Sequence, residues 1–251
     1  MTIDLNCDLA EGTGVEPLIM PFITSANISC GYHAGDRDLM TQTIRLCLLH
    51  GVAVGAHPSF PDRENFGRTE MNMPASEVYD LVKTQLGIIR DVAGAEGARL
   101  CHVKPHGALY NMAAVRPDLA KAIADAVSDF DSGLVLFGLS GSSMEAAAEQ
   151  SGLTMAHEVF ADRTYRPDGT LTPRSHPHAL ITDTGQACAQ ALALASGKSI
   201  TTIEGRELRL RADTICLHGD GTHAVAFAKS IRNVLTDAGI EIRSSHHGTK
   251  K

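Results

Sequence analysis

Apolar positions along the chain fall into two recurring patterns. Short runs rich in β-branched and other apolar residues occupy 3–7, 26–30, 52–56, 100–103, 134–137, 155–160 and 214–217. Between them lie longer stretches with a helical period. In 78–92 the residues Val78, Leu81, Val82, Leu86 and Ile89 fall on one helical face, and 39–50 behaves likewise. Pro74-Ala75-Ser76-Glu77 marks one helix start, and Asp183-Thr184-Gly185 marks another that runs through 187–195 to Gly197. Strand and helix patterns that alternate over the whole length are the signature of parallel βαβ units. Seven strand runs predict an α/β fold, a distorted, seven-stranded (β/α) barrel rather than a small open sheet.

With 251 residues and no Pro/Ser-rich linker, low-complexity tract or internal repeat, one domain over 1–251 is the economical reading. The 43% hydrophobic and 20% charged content excludes a disordered chain. A net charge of -7 removes the electrostatic basis for a general nucleic-acid binder. The only basic stretch is the tail, where 244–251, with His246-His247, is expected to fray. No window supplies the roughly 18 apolar residues of a membrane span, and the polar start, Met1-Thr2-Ile3-Asp4, resembles no secretory signal. Six widely spaced cysteines, never as C-x-x-C, complete an expectation of a cytoplasmic protein.

Polar residues gather where each strand run ends. Asp8 and Glu11 follow the first run, His33 and Asp36 the second, and His57 and Asp62 the third. The fourth leads into Lys104-Pro105-His106, the sixth carries Glu158 and leads into Asp162-Arg163, and the last ends in His218-Gly219-Asp220. In parallel α/β folds the carboxyl ends of the strands share one rim, where ligands bind. Singly, these residues have ordinary explanations: Asp8, Asp36 or Asp220 as helix caps, His57 as a turn residue. Lys104 is harder to dismiss, because Lys is rarely buried unless paired or reactive. His50, His102, His157, His176, His178 and His223 read as surface or core residues. The polar connection 162–177 is the longest without periodicity, a length more often functional than accidental.

Several standard chemistries fail on spacing. Gly197-Lys198-Ser199 lacks a Walker A loop's first glycine, whose place Leu192 takes. Ser142 replaces the last glycine of a nucleophile elbow beginning at Gly138, and His157-Glu158 lacks the second His of a zincin motif. The chain has no nucleotide-binding motif of its own. The rim instead offers carboxylates, imidazoles and one Lys, the parts needed to activate water or carry protons in attack on an unreactive acyl group. Asp8, His33 and His57 are alternatively ligands of a divalent metal, since a catalytic site commonly uses about three protein ligands plus water.

At these residues the chain resembles the LamB/YcsF family. The matching segments are 4–9 around Asn6 and Asp8, 25–36 with Asn27 and His33, 54–62 with His57, 66–68 with Arg68, and 102–111 with Lys104 and His106. The segments 158–163, 174–175 and 216–220 complete the series, in the expected order over essentially the full chain. The resemblance implies a barrel related to the glycoside hydrolase and deacetylase superfamily. It also implies ATP-dependent hydrolytic opening of 5-oxoproline to L-glutamate, with ADP and phosphate released, in company with 5-oxoprolinase subunits B and C. Those partners would bind the ATP, in agreement with the absence of a P-loop here.

The catalytic residues expected are Asp8, His33, His57, Lys104, His106, Glu158 and His218. Asp8, His57 or Glu158 would act as general base, His33, His106 or His218 as proton donor, and Lys104 and Arg163 as holders of a carboxylate or phosphate. Asn6, Glu11, Asn27, Arg68, Asp162, Arg163 and Asp220 are the expected substrate contacts. The chain departs from the family pattern at Ala10, where Gly is usual, in the shortened segment before Pro21, at Arg37 and at His178. Two other readings keep the barrel: a stand-alone metal-dependent amide or carbohydrate deacetylase, and a non-catalytic carboxylate-binding subunit.

Overall fold

In chain order the elements are β1 (Thr2–Leu9), α1 (Glu16–Ile19), β2 (Ser25–Ser29), α2 (Arg37–His50), β3 (Ala53–His57), α3 (Ala75–Ala95) and β4 (Leu100–Val103). They continue with α4 (Gly107–Val115), α5 (Pro117–Phe130), β5 (Val135–Leu139), α6 (Ser143–Gln150), β6 (Thr154–Phe160) and α7 (Thr184–Ala195). The last are β7 (Ile200–Thr201), β8 (Glu207–Leu208), β9 (Thr214–Leu217), α8 (Ala224–Asp237) and β10 (Glu241–Ile242). This computed structural model describes residues 1–217 and 224–245; His218, Asp220, His223 and the tail from His246 lie outside the described residues.

The seven strands β1 to β6 and β9 pair in parallel, and β9 pairs with both β6 and β1, so the expected seven-stranded barrel is closed. The two-residue β10 adds in parallel at the start of β1, pairing Thr2 with Glu241. A second two-residue pair, β7 and β8, forms a small antiparallel ribbon. These short strands carry too few residues to show a period, which is why no pattern announces them.

Strand alternation separates two environments. In β1 the apolar Ile3, Leu5, Cys7 and Leu9 belong to the main hydrophobic core, while Asp4, Asn6 and Asp8 are buried among polar partners from other strands. Helices α3 and α5 supply the outer layer with Val78, Val82, Leu86 and Ile89 and with Leu119, Ile123 and Val127, all fully buried. A separate cluster of Val135, Phe137 and Ala156 packs inside the barrel, where the Phe137 ring stacks on His102 at 4.2 Å. Gly55 in β3 makes room for that imidazole; a Cβ there would lie 2.1 Å from His102 Nε2.

Helix starts follow the local chemistry. Asp36 caps α2, its carboxylate accepting from Leu39 N, and Asp183 caps α7 by accepting from Gln186 N. Pro74 precedes α3 as expected. The connection 162–177 is ordered by its own contacts: Arg163 bridges to Leu180 and Tyr165 to Leu171, and the buried Tyr165 hydroxyl accepts from Phe160 N at 2.7 Å. Ser244, expected in the frayed tail, is buried with its hydroxyl oxygen 3.4 Å from that of Ser25. All six cysteines are described and none is in a disulfide. Among the described residues no helix is long and apolar enough to cross a membrane.

Candidate functional site

The carboxyl ends of the strands open into a cavity of about 420 Å³, within the range of small-molecule sites. Asp8, Glu11, His57, Lys104 and His106 line its floor. Phe66, Tyr110, Leu139 and Phe160 make apolar wall. The connection 162–177 supplies the opposite side through Arg166, Asp168, Leu171, Thr172 and Arg174, so the long polar segment is part of the site.

Lys104 is the centre of the floor. It leaves β4 two residues after His102, so both side chains enter the barrel. Its ammonium donates to Asp8 Oδ1 at 2.9 Å, Cys216 Sγ at 3.0 Å and Asn6 Oδ1 at 3.3 Å, and pairs with Glu158 Oε1 at 2.9 Å. Burial works against this charge, but Asp8, Cys216 and Glu158 outweigh it and hold the Lys104 pKa well above the usual value. Three ammonium protons already serve four acceptors, so Lys104 is fully engaged inside the protein.

A polar ladder continues below. Asn27 Nδ2 donates to Asp8 Oδ1 at 2.8 Å and to Asn6 Oδ1 at 2.7 Å, and Asn6 Nδ2 donates to Glu158 Oε1 at 3.0 Å and Thr214 Oγ1 at 2.7 Å. His102 Nε2 meets Asn27 Oδ1 at 2.8 Å. Asn6, Asn27 and Glu158, expected to meet substrate or take part in chemistry, therefore lie beneath the cavity lining and orient Asp8 and Lys104. Glu158 Oε2 and the Tyr110 hydroxyl are buried without a hydrogen-bond partner among the described residues. Burial, reinforced by the Glu158 charge, raises the Tyr110 phenol well above its usual range.

Beside Asp8 stand three imidazoles. His57 Nδ1 meets Lys104 O at 2.7 Å, His106 Nε2 meets Phe66 O at 2.8 Å, and His33 Nδ1 meets Ser59 Oγ at 2.9 Å. Their other nitrogens converge with Glu11: His33 Nε2 lies 2.9 Å from Glu11 Oε1, and His57 Nε2 lies 2.9 Å from His106 Nδ1. Burial and the His57 charge push His33 down to about 2, and the same two causes hold His106 well below neutrality. For His57 burial also opposes the charge, but Asp8 and Glu11 outweigh it and raise the pKa. One ligand atom each from Glu11, His33, His57 and His106 lies within 4.8 Å of all the others. Asp8, expected as a metal ligand with His33 and His57, instead pairs with Lys104; its Oδ2 is 3.4 Å from His57 Nε2.

Two backbone departures shape this corner. Ala10, with φ of 60°, turns the chain so that Asp8 and Glu11 both face the site. Phe66, with φ of 57°, aims its carbonyl at His106. Next to it Gly67 sits at φ +65°, where a Cβ would be 2.9 Å from both His106 Cδ2 and His33 Cβ.

The remaining expected residues separate. Arg163 borders the cavity, but its guanidinium is tied to Thr172 O at 2.6 Å and Ala179 O at 3.4 Å, so it braces the loop. Burial and then Arg174 lower its pKa to about 10. Arg68 lies on the cavity wall with its guanidinium 4.9 Å from the Phe66 ring centroid. Asp162 is not on the lining; its carbonyl accepts from Ile181 N at 2.8 Å. Asp62 closes its own loop through Asn65 and Thr69 N. His102, Cys216, Arg166 and Arg174 join the site although none is among the expected site residues; His102, Arg174 and Cys216 lie in segments that carry the family resemblance, and the further signal for His102 is its period-two spacing from Lys104.

The LamB/YcsF family description matches residues 3–250. A protein of Brevibacillus brevis that bears the name of the A component of 5-oxoprolinase is 52% identical over 246 residues, 96% of this chain and 97% of that protein. The crystal structure of a lactam utilization protein from Thermus thermophilus superposes with a TM-score of 0.90 at 42% identity, covering 97% of this chain and 99% of that one. A solved T48 deacetylase shares the fold alone, with a TM-score of 0.51 and 13% identity over 96% of this chain and 86% of its own. The chain belongs to the LamB/YcsF family.

Proposed function

We propose that this chain works as the A component of an ATP-dependent 5-oxoprolinase. In this reading it opens the ring of 5-oxoproline to L-glutamate, with B and C partner subunits that bind ATP and release ADP and phosphate. The observation that carries the reading is the buried Asp8–Lys104–Glu158 ion-pair cluster at the floor of a cavity lined by Arg68, Arg166 and Arg174. The 52% identity to the Brevibacillus brevis protein of that name supports it over the full chain.

A five-membered lactam is a resonance-stabilised amide and a poor electrophile. Phosphorylation of its carbonyl oxygen by the partners activates the ring carbon. Water then adds to that carbon, a base takes its proton, and the ring C–N bond breaks as the nitrogen is protonated. Loss of the phosphoryl group in a further hydrolysis leaves glutamate. Asp8 is the carboxylate placed for the proton transfers: Oδ1 is pinned by Lys104 and Asn27, and the residue lines the cavity. Lys104 and Glu158 hold it in place. The anionic ends of the substrate fall to the arginines of the wall, whose planar forks match carboxylate and phosphate.

The test is the purified chain with and without its partner subunits, given 5-oxoproline and scored for glutamate in the presence and absence of ATP. Glutamate formed only by the complex and only with ATP is the expected result. Hydrolysis by the isolated chain without ATP would replace this reading with that of a stand-alone amide or carbohydrate hydrolase.

A further inference from the structure

The imidazole corner presents a hydrogen-bonding conflict that the proton-transfer chemistry of Asp8 does not use. Backbone carbonyls only accept, so the nitrogens facing them carry hydrogens: Nδ1 of His57 toward Lys104 O and Nε2 of His106 toward Phe66 O. In neutral rings that leaves His57 Nε2 and His106 Nδ1 as two lone pairs facing each other at 2.9 Å. The Ser59 hydroxyl oxygen, 3.0 Å from Phe60 O, lies 2.9 Å from His33 Nδ1 and holds that ring in place. His33 Nε2 points at the Glu11 carboxylate, 2.9 Å away. Four atoms able to ligate a metal ion thus converge at the carboxyl ends of four strands. A single added proton bridges His57 and His106. A second would place another imidazolium against the pair, with the His33 and His106 rings stacked at 3.8 Å.

We propose that Glu11, His33, His57 and His106 bind one divalent first-row transition-metal ion of borderline softness, with Zn²⁺ as its representative. Zn–N distances of about 2.0–2.1 Å place neighbouring ligands of a tetrahedral site about 3.3 Å apart. Four of the six separations bracket that spacing, 2.9 Å for both close pairs, 3.5 Å for His106–Glu11 and 3.8 Å for His57–Glu11, and all six lie within 4.8 Å. Each imidazole has its other nitrogen held by an oxygen, the arrangement that fixes tautomer and ring orientation in metal-binding histidines. Three imidazoles and one carboxylate favour Zn²⁺, Ni²⁺ or Fe²⁺ over Mg²⁺ or Ca²⁺, which take oxygen ligands. An ion there would lie beside Asp8 at the cavity floor, positioned to polarise an oxygen of a bound molecule or a water.

This inference concerns the cluster alone and needs no substrate, so it stands or falls apart from the oxoprolinase reading. Untagged chain, stripped with chelator and dialysed, is titrated with Zn²⁺ by calorimetry. Metal content, the thermal midpoint and the visible spectrum with Co²⁺ are measured on the same preparations. One Zn²⁺ per chain, a raised midpoint and the intense visible bands of low-coordinate Co²⁺ are expected. H106A and E11Q should each weaken Zn²⁺ binding by at least about 100-fold. H176A/H178A, on an exposed pair with rings 5.8 Å apart, and H246A/H247A should bind as wild type. If H106A fails to fold by circular dichroism, E11Q and H33Q provide the comparison. No stoichiometric uptake by the wild type, uptake unchanged in folded E11Q and H33Q, or uptake lost only from H246A/H247A would each overturn the site.

Discussion

The two ends of the barrel interior are both polar and buried, yet only one sets charge against charge. At the amino-terminal end Asp4 accepts from Thr24 and Ser25 at Oδ1 and from Thr214 at Oδ2, at 2.6–2.7 Å. Hydroxyls answer the carboxyl, with no cation beside it among those contacts. At the carboxyl-terminal end Asp8 is met by an ammonium, lies 3.4 Å from an imidazole and lines a cavity. Buried polarity alone therefore does not mark a site. Both aspartates border cavities, about 420 Å³ at the upper end and about 230 Å³ at the lower; what distinguishes the upper end is charge facing charge and imidazoles converging with a carboxylate.

The largest effect that probes this contrast comes from Lys104→Met. Removing the ammonium leaves Asp8 and Glu158 as buried carboxyls without their common counter-charge, and loss of one partner of a buried pair costs about 3–5 kcal/mol. Denaturant unfolding should show a destabilisation of that size together with loss of ring opening. A stability within about 1 kcal/mol of wild type would mean that the upper network tolerates the loss as an apolar core would.

The lower end makes the opposite prediction, confined to stability. Burial raises Asp4 from 3.8 to about 6 despite its three hydroxyl donors. Between those values the folded state holds a proton that the unfolded chain has released, so stability falls as pH rises. Carrying the carboxyl from 3.8 to about 6 is worth about 3 kcal/mol, present in full below about pH 4 and lost above about pH 6. Asp4→Asn should remove that slope: relative to the variant, wild type weakens by up to about 3 kcal/mol over this window. Parallel stability curves for the two proteins would show that Asp4 is ionised in the fold at no cost.

Much of this division is legible in the chain, and the exceptions have physical reasons. Strand-end residues such as Asp8, Lys104 and His57 stand out because parallel strands must share one rim. The interior ladder is legible in principle, since Asp4, Asn6 and Asp8 alternate with apolar residues, as do His102 and Lys104 around Val103. His102 passes for an ordinary surface or core residue because an imidazole alone does not say which face of a strand it occupies. Arg163 has the composition of an anion holder, but its guanidinium braces Thr172 and Ala179. Arg166 and Arg174 reach the cavity through a loop whose path has no period to read. The imidazole cluster takes Glu11 and His106 in place of Asp8 because the left-handed turn at Ala10 and the Phe66 carbonyl set the directions of those side chains.

The smallest expected effect concerns that turn. Ala10→Gly relieves a non-glycine residue in the left-handed region and should raise stability by up to about 1 kcal/mol. Thermal unfolding with and without the substitution measures it; a loss of more than about 1 kcal/mol would assign the buried methyl a larger share than the backbone strain.

The contrast between the two ends is measured most directly by glutamate formation in the complex carrying Asp8→Asn beside the complex carrying Asp4→Asn, each shown to be folded and assembled. Asp8→Asn should lower turnover by at least about 100-fold while Asp4→Asn retains it. Full turnover with Asn at position 8, or an equal loss with Asn at position 4, would contradict the assignment of chemistry to the upper end of the barrel.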